Sequence, residues 1–97
     1  MGDGVQAQRS VKIRNHLGMH ARAAVRFVQI ANHFESEINV ICDGAQVNGK
    51  SIMGLLTLVA VLGTEVTVVA SGVDAEQAAD ALATLISEGF GEGVADA

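Results

Sequence analysis

Glu37-Ile38-Asn39-Val40-Ile41-Cys42-Asp43-Gly44-Ala45-Gln46-Val47-Asn48 is the stretch whose reading decides the fold. Ile38, Val40 and Cys42 fall on one side of an extended segment, the period-two signature of a strand with one buried face. Asp43-Gly44 supplies the positive-φ pair that a type I′ turn requires. Residues 45–48 therefore return as a short antiparallel partner, and a hairpin stands at the middle of the chain.

Working outward, the period changes on both sides. Upstream, Ala24, Phe27, Val28, Ala31 and Phe34 recur at helical spacing, with Arg22, Arg26, Gln29 and His33 on the opposite stripe. That pattern predicts an amphipathic helix beginning near His20. Before it, Val11 and Ile13 alternate in a strand over 10–14, and 15–18 is a turn. Downstream, the hydroxyl of Ser51 is suited to cap a helix over 51–62, an unusually apolar run from Ile52 to Leu62. Val66, Val68 and Ala70 mark a strand over 65–71. Asp74 and Gln77 make a capping-box pattern before a helix that buries Ala75, Ala78, Ala79, Leu82, Leu85 and Ile86. Gly89 is placed to end it, with Phe90 folding back on the last turn. The order is β-α-β-β-α-β-α. Helical apolar stripes need a sheet face to cover, and a right-handed crossover from strand one to strand two leaves a gap for strand four. The expected architecture is an α+β open-faced sandwich, a four-stranded antiparallel sheet of order 1-4-2-3 with three helices on one face. Residues 1–9 read as a flexible leader, 10–92 as the domain and 93–97 as a loose tail.

Composition narrows the function. Ninety-seven residues, 49% of them hydrophobic, suit one core. The net charge of −5 and the absence of Trp and Tyr speak against a nucleic-acid or sugar-stacking surface. The few cations gather in the first half: Arg9, Lys12, Arg14, Arg22, Arg26 and Lys50. A single cysteine, Cys42, leaves no internal disulfide and points to a reducing, cytoplasmic setting. Neither a secretory signal nor an uninterrupted apolar span of about 18 residues is present, so no membrane insertion is expected.

Chemistry concentrates in Asn15-His16-Leu17-Gly18-Met19-His20-Ala21-Arg22-Ala23-Ala24. A helix N-terminus offers unpaired N–H groups and partial positive charge, both favourable to phosphate. Arg22, two residues beyond His20, adds a planar charged fork for phosphate oxygens. Neutral imidazole is a nucleophile near pH 7, its reference pKa being about 6.5. On these residues alone the plainer reading, a surface or capping histidine, stays open. His16 and His33 have polar surroundings, and their spacings with His20 fit no helical zinc pair.

Gly18-Met19-His20-Ala21-Arg22 resembles the active-site signature of the HPr family, phosphocarriers of the bacterial phosphoenolpyruvate-dependent phosphotransferase system. Val47-Asn48-Gly49-Lys50-Ser51-Ile52-Met53-Gly54-Leu55 is similar to that family's regulatory-serine segment, and Thr57-Leu58 and Gly89-Phe90-Gly91-Glu92 also match its habit. The resemblance spans about residues 10–92. It implies that His20 accepts phosphate at Nδ1 from phosphorylated enzyme I and passes it to enzyme II-A domains of sugar permeases or to regulatory homologues. Arg22 would clamp the phosphoryl oxygens. Ser51 would be a phosphoserine made by an HPr kinase/phosphorylase, and outward-facing Ile52, Met53 and Leu56 would dock partners. No metal or organic cofactor is implied, and the chain would be a monomeric carrier rather than an enzyme.

One position departs from the pattern: Ala23 stands where the family usually has proline. Alanine keeps the helix, being its best intrinsic former. Two functional readings stay open beside the sugar-type carrier, a nitrogen-type carrier and a non-transferring relative that acts by binding partners. Gly18-Met19-His20 is at home in nitrogen-type carriers, Asn48-Gly49-Lys50-Ser51 in sugar-type ones. Retention of both His20 and Arg22 counts against the binder, which needs neither.

Overall fold

In a computed structural model describing residues 5–95, the central hairpin is β2 (Glu37–Cys42) and β3 (Ala45–Asn48). Asp43 and Gly44 both take positive φ at the turn, 51° and 84°. The other elements are β1 (Gln6–Lys12), α1 (Ala21–Ala31), α2 (Ile52–Leu56), β4 (Glu65–Ser71), α3 (Ala75–Ser87) and a short 3-10 turn, Gly89–Gly91. The sheet order is β1-β4-β2-β3, with every neighbouring pair antiparallel. Phe27, Ile38, Val40, Leu55, Val66, Val68, Leu82, Ile86 and Phe90 fill the layer between sheet and helices. Full burial of each large side chain contributes roughly 1.5–3 kcal/mol. Cys42 is buried in this layer, where loss of solvation pushes its thiol up, helped by the charge of Asp43.

Four boundaries differ from the sequence reading. The domain begins before residue 10, because β1 starts at Gln6 and pairs with the whole of β4, from Gln6↔Ser71 to Lys12↔Glu65. Arg9 sits between Ala7 and Val11 on the inward row and bonds Asp80 and Glu76 of α3 at 2.8 and 2.9 Å. A charge on that row breaks the alternation a strand is recognised by. The rest of the expected leader, residues 1–4, lies outside the described residues, as do residues 96–97 of the tail. Ala95 is not loose: its N–H donates to the Arg14 carbonyl at 2.7 Å.

Helix α2 stops at Leu56 rather than reaching 62. Thr57 closes it and Val59 turns to φ 52°; beyond the helix Leu58 and Ala60 are buried while Val59, Val61 and Leu62 are exposed. The apolar run is thus a short helix followed by an irregular segment. The fourth difference concerns Asp74, which makes no cap bond to α3. Its carboxylate instead accepts the N–H groups of Glu35 and Ser36, at 2.9 and 3.0 Å, and the Ser36 hydroxyl. It fastens the turn between α1 and β2 to the start of α3.

Candidate functional site

The loop before α1 is shaped by one glycine. Gly18 has φ 64°, and a Cβ there would lie 2.4 Å from the Ala60 carbonyl oxygen, so no side chain fits. This close approach is held by the Met19 N–H, which donates to Ala60 O at 2.9 Å. The segment that ended α2 early is therefore the floor on which the loop rests. His20 follows in an extended conformation (φ −86°, ψ −179°) as the N-cap of α1, as its sequence position predicted.

The two ring nitrogens of His20 have different partners. Nδ1 accepts the N–H of Arg22 at 3.3 Å. Nε2 faces Oε2 of Glu92, 72 residues away in the chain. A nitrogen that accepts must carry a lone pair, and one that faces a carboxylate must carry the proton. The ring is consequently the Nε2-H tautomer, with the lone pair of Nδ1 directed at the helix N-terminus. Glu92 Oε1 accepts in turn from Nδ2 of Asn15 at 2.8 Å. Partial burial pushes the Glu92 carboxyl up, but hydrogen bonds from Asn15 and His20 and the nearby charges of His20 and Arg22 outweigh it. The net effect holds Glu92 below the usual carboxylate value.

Glu92 reaches the ring because Phe90 is locked. Phe90 is fully buried at φ 56°, between Gly89 at 73° and Gly91 at 81°, and its carbonyl accepts from Arg26 Nη1 at 2.9 Å. The succession of left-handed residues turns the chain back over the start of α1. Neither Asn15 nor Glu92 stands out as a site residue in the sequence. The glycine-flanked aromatic Gly89-Phe90-Gly91 was the signal that an anchored segment delivers its next side chain to a fixed place.

His20, Arg22, Glu92, Asn15 and His16 line one open groove of about 650 Å³. The Arg22 guanidinium makes no hydrogen bond to the described residues and faces this groove. Ser51 is elsewhere, capping α2 through Oγ, which accepts from the Gly54 N–H at 2.9 Å. Ile52 and Met53 are exposed, Met53 at 74%, whereas Leu56 is half-buried against the core and only partly faces outward. Leu17, Val59 and Val61 add apolar surface where Gly18 meets Ala60 and Val61. Among the described residues no helix is long and apolar enough to cross a membrane, and no three His, Cys, Asp or Glu side chains are grouped to hold a metal.

The structure thus sets an imidazole at a helix N-terminus, beside an arginine, on an open-faced β-α-β-β-α-β-α sandwich. Comparison with known proteins gives the class of protein. The family model for the PTS HPr component phosphorylation site matches residues 7–88. The phosphocarrier protein HPr of Cupriavidus necator is 45% identical over 86 residues, covering 89% of this chain and 97% of that protein. The HPr-like protein Crh of Bacillus subtilis is 46% identical over 81 residues, covering 84% and 95%. The crystal structure of HPr-C-His from Thermoanaerobacter tengcongensis superposes with a TM-score of 0.86 at 43% identity, covering 91% and 99%. The chain belongs to the HPr family of phosphocarrier proteins of the phosphotransferase system.

Proposed function

We propose that His20 is the phosphoryl acceptor, loaded at Nδ1 by phosphorylated enzyme I and unloaded to enzyme II-A domains or their regulatory homologues. The Nδ1 lone pair attacks phosphorus, and the bond from phosphorus to its leaving group on enzyme I breaks with the electron pair going to that group. The Nε2 proton stays on the ring, where Glu92 balances the positive charge the imidazole acquires. The Arg22 N–H exchanges Nδ1 for a phosphoryl oxygen, and the guanidinium of Arg22 takes the others. The observation that carries this reading is the division of partners on one ring, Nε2 against the Glu92 carboxylate and Nδ1 against the Arg22 N–H.

Incubation with enzyme I and labelled phosphoenolpyruvate tests it. One acid-labile phosphate on His20, absent in His20→Ala, is the expected result; full labelling of that variant refutes the assignment. His16 shares the groove but is exposed and makes no side-chain hydrogen bond to the described residues, so nothing sets its tautomer.

Exposed Ile52 and Met53, with the outer part of Leu56, form the partner-docking surface beside the site, and Leu17 and Val59 extend it. Ser51, at the edge of that surface, is a site for a kinase/phosphorylase, since a phosphate there is compatible with the start of α2 yet places charge against the docking residues. The carrier acts in the cytoplasm as a monomer that presents one face to successive partners.

A further inference from the structure

Asn15 is 1% exposed, and its Oδ1 is buried without a hydrogen-bond partner among the described residues. Its Nδ2 makes two bonds, to the Gly18 carbonyl at 3.0 Å and to Glu92 Oε1 at 2.8 Å. Turning the amide over would set Oδ1 against a carbonyl oxygen and a carboxylate oxygen, where it could accept nothing. The amide is therefore held one way round, and it shows residue 92 only N–H.

We infer that Asn15 is a positioning residue for His20, acting through Glu92 to keep the imidazole in the Nε2-H tautomer. By claiming one oxygen of residue 92, Asn15 aims the other at Nε2 and leaves Nδ1 unprotonated for attack. The groups facing the ring are the Glu92 carboxylate from the C-terminal segment and Arg22 from the first turn of α1, with His16 also lining the groove. The Arg22 guanidinium carries no lone pair that could hold the Nε2 proton. The inference rests on His20 as the acceptor for its consequence, but the tautomer is a property of the protein without enzyme I, so the two readings fail separately.

The test is Glu92→Gln. The amide so introduced has one oxygen, which the Asn15 N–H claims, and its NH2 then faces Nε2. The ring must accept there, and the proton moves to Nδ1. Nitrogen-15 NMR of the histidine ring, recorded where the ring's own signals show it neutral, should show inversion from Nε2-H to Nδ1-H. Uptake of phosphate from enzyme I should fall several-fold. Adding Asn15→Ala to Glu92→Gln frees the new amide to turn its oxygen toward Nε2. The Nε2-H form and most of the uptake should return, whereas a merely structural Asn15 would make the double variant worse than either single one. Retention of Nε2-H in Glu92→Gln, or persistence of Nδ1-H in a folded double variant, overturns the inference. Should the double variant fail to fold, the ring tautomer of Glu92→Gln alone decides.

Discussion

Helices α1 and α2 both begin on a side chain that accepts a backbone N–H, and the two caps differ in how tightly they hold it. Ser51 takes the Gly54 N–H at 2.9 Å, an ordinary hydroxyl cap. His20 takes the Arg22 N–H at 3.3 Å, near the limit of a hydrogen bond, because its ring is also drawn to Glu92. A tight cap serves the helix. A loose one leaves a lone pair and a set of N–H groups ready for another occupant. The same local motif thus gives a tight start to one helix and a loose start to the other.

The comparison is most sharply tested by moving charge to the structural end. Ser51→Asp keeps an acceptor at the cap but puts a fixed negative charge beside Ile52 and Met53. The circular dichroism spectrum should be unchanged while loading of His20 by enzyme I slows several-fold under subsaturating conditions. A loading rate equal to wild type would mean that the start of α2 has no part in docking. The next effect is on stability. Urea unfolding should show Ser51→Ala destabilised by about 1 kcal/mol and His20→Ala by clearly less. Equal losses would erase the distinction between the two caps.

The smallest effect at neutral pH belongs to Asp74, which precedes α3 but fastens the Ser36 turn instead of capping. The Ser36 hydroxyl first, then the Glu35 and Ser36 N–H groups, hold its carboxyl below the ordinary value of 3.8. A lowered folded pKa means that its contribution is complete above the unfolded value and is lost as pH falls through the folded one. Stability to urea should therefore decline on acidification below about 4, the usual carboxylate range, and Asp74→Asn should flatten that part of the profile. An unchanged slope in Asp74→Asn would mean that the carboxylate charge matters little to the turn.

Much of the architecture was legible because it rests on local signals. The Asp43-Gly44 turn, the alternation in β2 and β4, and the helical stripe of α1 each fall within a few residues. The strand order followed from where helices can pack. What escaped has particular causes. Arg9 on the inward row disguised the start of β1, since its partners Glu76 and Asp80 are distant in the chain. The run from Ile52 to Leu62 is apolar on every side, so no period revealed that the helix stops at Leu56 and that Ala60 instead supports Gly18. Asp74 carried a genuine capping pattern but found better donors 38 and 39 residues away. At the candidate site, His20 and Arg22 come from one short motif. Asn15 and Glu92 were not legible, because their roles exist only once residues 77 apart are brought together.

The anchored aromatic at position 90 has a consequence for the timing of synthesis. His20 leaves the ribosome 72 residues before Glu92. Until Phe90 is seated, the histidine lacks its Glu92 partner. Completion of the His20 surroundings is therefore coupled to completion of the core: Phe90, which closes the hydrophobic layer, is two residues from Glu92, which faces the ring. Partly made or partly unfolded chains carry the histidine without the Glu92 carboxylate beside it.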